Sequence, residues 1–253
     1  MDALLDATQL TLTQFWLLLA ITTIAGIVRG FSGFALSAIV MASAVTFLPP
    51  VQLIPISFWL ELSASVLMAR GGWQEADRRI VYGLVAGSAV GTPIGLALTT
   101  NISVETSKLV VLILVIVLAA MQLAKIRIGF LATKAGLYVA GITAGIVTGL
   151  ASIGGMVVAL YVLSQDAPAR KMRAALVLFL FISSATSMVF LIYFNVMTAV
   201  AITRAAIFAL PCVGGVIIGQ HLFTPRFEPY YRPFCLTLLT GLALAGLIRT
   251  SLS

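Results

Sequence analysis

Charged side chains are scarce in this sequence. Asp, Glu, Lys and Arg make up 9% of its 253 residues, whereas 61% are hydrophobic and the mean hydropathy is +1.13. Soluble domains carry roughly 25% charged residues, so the composition excludes that class and indicates several membrane-spanning segments. Cysteine and histidine are also rare, with two and one residues respectively. Cys212, Cys235 and His221 form neither a disulfide framework nor a metal site, so we expect no metal, cofactor or redox chemistry.

The net charge of +7 does not indicate a nucleic-acid partner. Lys and Arg lie in short clusters between apolar segments and do not form a single basic stripe. In a membrane protein such clusters mark the cytoplasmic loops. They are Arg70, Arg78 and Arg79; Lys125, Arg127 and Lys134; Arg170, Lys171 and Arg173; and Arg226 and Arg232.

Six apolar segments have the ~20 residues that cross ~30 Å of hydrocarbon. These predicted spans are residues 51–69, 78–98, 105–123, 171–193, 200–222 and 232–250. Two further apolar blocks, 12–48 and 130–164, are too long for one span and are interrupted at Gly30-Phe-Ser-Gly33 and Ala151-Ser-Ile-Gly-Gly155. Because unpaired backbone groups cannot face lipid, we expect each block to be a broken helical hairpin whose tip faces the protein interior.

The two halves of the chain share motifs at matching places. Ala25-Gly-Ile-Val-Arg-Gly30 reappears as Ala144-Gly-Ile-Val-Thr-Gly149, and Gly91-x-x-x-Gly95 reappears as Gly215-x-x-x-Gly219. The latter glycines are expected only to let helices pack closely. The sequence therefore predicts an all-α polytopic membrane protein with two repeats, residues 1–125 and 126–253, each a broken hairpin followed by three spans. With the basic loops in the cytoplasm, the repeats have inverted topology and both termini lie outside.

Interrupted helices at matching positions of two halves are typical of the binding site of a secondary transporter. Each break is predicted to start a new helix, at Phe34 and at Met156, and the free N–H groups of such helix ends carry partial positive charge. Together they would bind a small anion near the membrane midplane. The predicted site consists of Arg29, Gly30, Ser32 and Gly33 from the first break and Ser152, Gly154 and Gly155 from the second. The alternative is that both breaks are structural kinks with capping serines.

Two charged residues fall beside or within the predicted membrane segments. The guanidinium of Arg29 matches the geometry of an oxyanion, although a positive-inside anchor is the alternative role. Glu61 lies inside the span 51–69, where a carboxylate is a candidate functional group and Arg29 is its expected partner. It is either a proton-coupling group or one half of a structural ion pair. The expected partners are thus a small anion, protons and the lipid bilayer.

Three motifs resemble those of the TauE/SafE sulfite exporter family of membrane permeases. They are Val28-Arg-Gly-Phe-Ser-Gly-Phe34, Gly149-Leu-Ala-Ser-Ile-Gly-Gly155 and Val158-Ala-Leu-Tyr161. The resemblance implies a protein of the bacterial cytoplasmic membrane that exports sulfur-containing anions such as sulfite, thiosulfate or organosulfonates, and some relatives handle other organic anions. In many members a proline follows the paired glycines, whereas this chain has Met156, so the substrate stays open.

Two other classes of protein also fit parts of the sequence. An anion channel would use the same polar breaks without alternating access. A rhomboid-like intramembrane protease would use Ser32 of Gly30-Phe-Ser-Gly33 as nucleophile and His221 as base. Four-residue motifs arise by chance, and His221 lies near the end of its predicted span, so we predict that the protein is not an enzyme.

Overall fold

The computed structural model describes residues 2–124, 126, 128–165 and 169–222, together with positions 237, 240, 241, 244 and 248, and every regular element among them is helical. The α-helices are α1 (Asp2–Thr8), α2 (Leu12–Ser32), α3 (Leu36–Ala44), α4 (Pro50–Glu75), α5 (Arg78–Asn101), α6 (Val104–Leu123), α7 (Lys134–Ala151), α8 (Gly154–Leu163), α9 (Ala169–Tyr193) and α10 (Ala199–Leu222). A short 3₁₀ turn, Gly129–Ala132, precedes α7.

Seven of these helices are long and apolar enough to cross a membrane. They are α2, α5, α6, α7 and α10, together with Pro50–Ala69 of α4 and Lys171–Tyr193 of α9. Their outward faces carry aliphatic side chains such as Val90, Val189 and Leu210, which are 58%, 65% and 78% exposed and suit contact with lipid. The chain is therefore a multi-pass helical membrane protein. Of the six predicted spans, five coincide with these helices, and residues 232–250 lie almost wholly outside the described part.

Each of the two interrupted blocks forms one long helix followed by one short helix. In the first block, α2 has 21 residues and α3 has nine. In the second, α7 has 18 residues and α8 has ten. At about 1.5 Å per residue, α3 and α8 reach roughly half way through a bilayer, so one arm of each hairpin can cross and the other cannot.

The short helices begin at residues other than the predicted Phe34 and Met156. α3 begins at Leu36, because Gly33 and Ala35 both adopt left-handed backbone conformations, with φ of 78° and 74°, which keeps three residues out of the helix. α8 begins earlier than predicted, at Gly154, because only Ser152 is left-handed there, with φ of 57°. The second break is therefore the shorter one.

The long arms of the two hairpins end in the same way. The N–H of Gly33 donates to the carbonyl of Arg29 at 2.8 Å, and the N–H of Ser152 donates to the carbonyl of Thr148 at 2.7 Å. Both residues are left-handed C-caps. Ser152 thus stands after α7 where Gly33 stands after α2, and Ser32 is not its counterpart.

Glycines bring the helices of two pairs, α2 with α10 and α5 with α7, into backbone contact. A Cβ atom on any of these glycines would overlap a carbonyl oxygen of the facing helix. In the α2–α10 pair, the contacts are Gly26 with Cys212, Gly30 with Val216, Gly215 with Thr23, and Gly219 with Ile27. In the α5–α7 pair, they are Gly145 with Ser88, Gly149 with Thr92, Gly91 with Ile142, and Gly95 with Ile146. Facing positions advance together along both helices, so each pair runs parallel. The predicted packing role of Gly91, Gly95, Gly215 and Gly219 is confirmed.

Replacing Gly215 by Ala is expected to lower the stability of the α2–α10 pair. The new methyl group would meet the carbonyl of Thr23, and overpacking of this kind costs about 1–3 kcal/mol. Gly214→Ala is the matched control, because nothing lies within 4 Å of a Cβ at that position. Thermal unfolding of the purified proteins in detergent measures the difference. Equal melting temperatures for the two variants would contradict the tight pairing.

Candidate functional site

The two helix breaks meet at one small cavity, which we call the central cavity. Its lining comprises Ala35, Ser37, Ala38, Glu61, Ser152, Ile153, Gly155, Met156 and Leu180. Glu61 and Leu180 lie near the middles of α4 and α9, so the central cavity is deep in the helix bundle. Its volume of about 10 Å³ is at the lower limit for one water molecule. The structure therefore has the two breaks closed against each other.

A buried ion pair between Arg29 and Glu61 stands beside the central cavity. Arg29 is fully buried and Glu61 is 5% exposed, with 2.9 Å between Arg29 Nε and Glu61 Oε2. Arg29 Nη2 donates to the Ser65 hydroxyl at 2.8 Å, and Nη1 donates to the carbonyl of Gly33. Arg29 is thus the partner that the sequence indicated for Glu61. Its complete burial does not fit the alternative role of an interfacial anchor.

The carboxylate of Glu61 also caps the start of α3. Its Oε1 accepts hydrogen bonds from the N–H of Ser37 at 3.3 Å and from the Ser37 hydroxyl at 3.0 Å. Ser37 is the second residue of α3, where N–H groups have no partner within the helix. A negative charge at that end is favourable, so Glu61 holds the place that an anion would take at this helix end.

Sequence reasoning missed Ser37 and Ser65, although each has a recognisable signal. Ser37 is a hydroxyl residue just after a break, at the start of a short apolar helix. Ser65 follows Glu61 by four residues on the same helix, which places both on one face of α4. Polar residues on the cavity face of a membrane helix need such partners.

Two of the predicted site residues, Ser152 and Gly155, line the central cavity. The side chain of Ser152 is 8% exposed, and its hydroxyl makes no hydrogen bond with any residue that the structure describes. A Cβ on Gly155 would lie 3.1 Å from Leu180 Cδ2, so a side chain there would narrow the cavity further. The second break thus offers a hydroxyl without a partner and, at Gly155, a backbone without a side chain of its own.

Four other predicted site residues have local contacts that explain them without a ligand. Gly30 packs against Val216 on α10, and a Cβ on Gly154 would overlap Thr148 and Ala144 of α7. The Ser32 hydroxyl accepts from the N–H of Phe34 at 2.9 Å and donates to the Phe34 carbonyl, so it closes its own turn. Gly33 supplies the left-handed cap. Their role as ligands stays a prediction.

Two larger cavities lie at opposite ends of the bundle. The α4–α5 vestibule, of about 510 Å³, is lined by residues that include Glu75, Asp77, Tyr161, Gln165 and Lys171. The α9–α10 vestibule, of about 460 Å³, is lined by residues that include Gln52, Thr100, Asn195, Thr198 and Arg204. Arg204 is buried, and it donates to the carbonyl of Thr8 at 2.7 Å and to Gln52 Oε1 at 2.8 Å. It therefore ties the start of the chain to α4.

Ser32 and His221 are not arranged as a nucleophile and its base. Ser32 is bonded to Phe34, and the exposed His221 ring places Nδ1 2.8 Å from the carbonyl of Ile217 in its own helix. Each group is occupied within its own segment.

The fold and the site define a polytopic membrane protein in which two half-length helices meet beside a buried charge pair. The sequence model of one protein family, Sulfite exporter TauE/SafE, matches residues 18–246. The chain belongs to the TauE/SafE family and is a membrane transporter. Membership of this family implies a small anionic substrate. No curated protein and no solved structure matches it. Because the family is one of transporters, the protein is not an enzyme and the protease alternative is wrong.

Substituting Arg29 by Met is expected to destabilise the protein by about 3–5 kcal/mol, because it leaves the Glu61 carboxylate buried without its cation. The double variant Arg29→Met/Glu61→Leu removes both charges and should recover much of that loss. Arg79→Met, at an exposed position, is the matched control and should change little. Thermal unfolding in detergent reports the order. A double variant less stable than Arg29→Met would show that the charges do not depend on each other.

Proposed function

We propose that this protein is a secondary transporter that exports a small sulfur-containing anion, such as sulfite, thiosulfate or an organosulfonate, by alternating access around the central cavity. The observation that carries the proposal is the meeting of two helix breaks, one from each half, at a buried cavity between vestibules at opposite ends. Discontinuous helices that meet in the membrane interior are the usual binding site of such transporters.

The chemistry at the breaks suits an oxyanion. The hydroxyls of Ser37 and Ser152 can donate hydrogen bonds, and the first N–H groups of α8 lie beside Gly155, which lines the cavity and has no side chain of its own. Arg29 supplies a planar fork that matches the oxygen geometry of sulfite or a sulfonate. The interior-negative potential of a cell favours anion exit by about 2.3 kcal/mol per charge per 100 mV.

The volume of the central cavity favours a transporter over a channel. A channel in a conducting state needs a continuous polar path, whereas this cavity of about 10 Å³ has no room for a sulfur oxyanion. We assign the structure to a state in which the two breaks are closed against each other. The two vestibules are the paths by which the site would open to each side in turn.

We also propose that the two halves are inverted repeats. Three pairs of residues, Gly33 with Ser152, Ser37 with Met156 and Glu61 with Leu180, have the same separation in sequence, and all but Gly33 line the central cavity. The glycine contacts support the same pairing. Gly30 faces α10 as Gly149 faces α5, and Gly219 faces α2 as Gly95 faces α7.

The parallel helix pairs agree with the topology expected from the basic loops. In that topology α2 and α10 both run inward, and α5 and α7 both run outward. The α4–α5 vestibule then opens to the cytoplasm and the α9–α10 vestibule to the outside. The two vestibules are lined by matching parts of the two repeats. The α4–α5 vestibule is lined by the starts of α5 and α9, and the α9–α10 vestibule is lined by the starts of α10 and α4. Inverted repeats provide this pairing of one cavity for each side.

Uptake into proteoliposomes tests the substrate and the site. We expect radiolabelled sulfite, thiosulfate or sulfoacetate to accumulate above a carboxylate control, and Ser152→Ala and Ser37→Ala to reduce the rate about tenfold, roughly the loss of one hydrogen bond to a charged group. Ser43→Ala is the matched control, since Ser43 is on α3 but does not line the cavity. Full activity in both cavity variants would place the site elsewhere, and transport of the carboxylate alone would exclude the sulfur substrate.

Cysteine labelling tests the orientation. In a background with Cys212 and Cys235 replaced by Ala, Glu105→Cys lies in the first turn of α6 on the predicted outer side, and Lys134→Cys begins α7 on the predicted inner side. Both positions are exposed. A membrane-impermeant maleimide added to intact cells should label the first variant and spare the second. The opposite pattern would reverse the topology and the assignment of the vestibules.

A further inference from the structure

The polar groups at the central cavity are distributed unequally between the two halves. Arg29, Ser37 and Glu61 belong to the first half, and the residues at matching positions of the second half are Thr148, Met156 and Leu180. The ion pair therefore occurs on one side only. The facing wall of the cavity consists of Ile153, Met156 and Leu180, with Ser152 as its polar residue.

Glu61 satisfies both sources of positive charge on its side of the cavity. One oxygen of its carboxylate lies 2.9 Å from Arg29 Nε, and the other accepts from the N–H and the hydroxyl of Ser37 at the start of α3. The network of Arg29, Ser37 and Glu61 is thus already neutral. A substrate anion that entered it would add an uncompensated negative charge next to a carboxylate, in surroundings that are mostly apolar.

We propose that Glu61 is a tethered anion whose carboxylate occupies the place of the transported anion, and that a proton bound by Glu61 accompanies each substrate anion. Protonation turns the carboxylate into a neutral acid, which releases Arg29 and the α3 terminus to the substrate. The proton cancels one negative charge of the substrate, so a divalent anion such as thiosulfate crosses with one net negative charge, and the interior-negative potential still favours its exit. The neutral acid can also donate its proton in a hydrogen bond to the substrate oxygen. This inference rests on the proposed transport of an anion through the central cavity.

An independent feature of the cavity also supports a ligand between the two breaks. Ser152 lines it from the second break and is 8% exposed as a residue, and its hydroxyl has no hydrogen-bond partner in the described part of the chain. Buried hydroxyls are normally paired, because an unmade hydrogen bond is costly. An anion that replaced the Glu61 carboxylate between Ser37 and Ser152 would supply that partner.

The groups around Glu61 leave it as the proton carrier. Arg29 on α2 and Arg173 on α9, which donates to the carbonyl of Gly30 at 2.7 Å, both remain charged, since guanidinium groups do not lose their proton in proteins. Cys212 on α10 has a buried thiol that interacts electrostatically with both Arg29 and Glu61. Among the other residues that line the cavity, Ser37 and Ser152 carry hydroxyls that do not ionise in the neutral range, and Leu180 of α9 is aliphatic. Cys212→Ala is therefore the control that removes the other titratable group.

Proton movement during thiosulfate uptake is the first test. Thiosulfate is the probe because it stays fully ionised around neutral pH, so any acidification inside proteoliposomes, read by a trapped dye, is carried by the protein. The wild type, Cys212→Ala and the exposed control Glu105→Gln should move protons with thiosulfate. Glu61→Gln should move thiosulfate without protons, at a rate that no longer depends on pH. Proton-coupled uptake in Glu61→Gln, or uncoupled uptake in the wild type, would overturn the inference while leaving the transport function intact.

A binding measurement on purified protein covers the case in which Glu61→Gln is poorly stable. Without its carboxylate, Arg29 lacks a counterion, so the variant should melt below the wild type in anion-free buffer and regain stability as thiosulfate or sulfite is added. Its apparent affinity for the anion should exceed that of the wild type at least about fivefold, the lower range of coupling between sites. A loss of stability that neither anion restores is the result expected of a purely structural ion pair, and it would overturn the inference.

The two proposals fail in different ways. If neither the wild type nor Glu61→Gln transports or binds sulfite, thiosulfate or sulfoacetate, the sulfur substrate is wrong and the tethered-anion role falls with it. If the wild type transports one of these anions and Glu61→Gln shows the same pH profile, only the role of Glu61 is wrong.

Discussion

A chain inside a bilayer must satisfy its own backbone hydrogen bonds, and this constraint governs the fold of the protein. Two helices of the bundle are nevertheless interrupted, and each interruption leaves N–H and carbonyl groups without partners in their own helix. The structure meets the constraint by burying both breaks. Glycines on α2, α5, α7 and α10 allow the long arms of the hairpins to contact their neighbours backbone to backbone, and the breaks are enclosed by α3, α4, α8 and α9 around the central cavity.

The charges at the centre follow from the same constraint. The end of α2 presents carbonyl groups, one of which accepts from Arg29, and the start of α3 presents an N–H that donates to Glu61. Charges of these signs suit the two helix ends, and the ion pair joins them. An arginine and a glutamate buried in a membrane protein are costly as single residues. Here the two residues form an ion pair, and each of them also bonds to a helix terminus and to a serine hydroxyl.

The near-symmetry of the two breaks and the asymmetry of their chemistry have different consequences. Matching caps at Gly33 and Ser152 end the two long arms in the same way. The unmatched pairs Glu61 with Leu180 and Ser37 with Met156 make the first-half side of the central cavity more polar than the second-half side, where Ser152 is the polar residue. A substrate held between them would be recognised mainly by the first half, while the second half closes over it.

Several features could be predicted from the sequence because they depend on local composition. The helical class and five of the spans follow from apolar runs long enough to cross a bilayer. The positions of the two breaks follow from glycine and serine inside such runs, and the family follows from motifs that recur in both halves. The pairing of Arg29 with Glu61 was expected because buried charges need counterions.

Other features were decided only by tertiary structure. Ser32 and Ser152 are both serines beside a break, yet one closes its own turn and the other faces the central cavity with a free hydroxyl. Gly154 and Gly155 are neighbours, yet one packs against α7 and the other borders the cavity. The direction of a side chain at a break depends on the backbone angles of two or three residues, and packing against other helices sets these angles. The sequence by itself determined which residue types stand at the breaks, because hydrophobic length and polarity are local properties. Which of them face a ligand is a property of the assembled bundle.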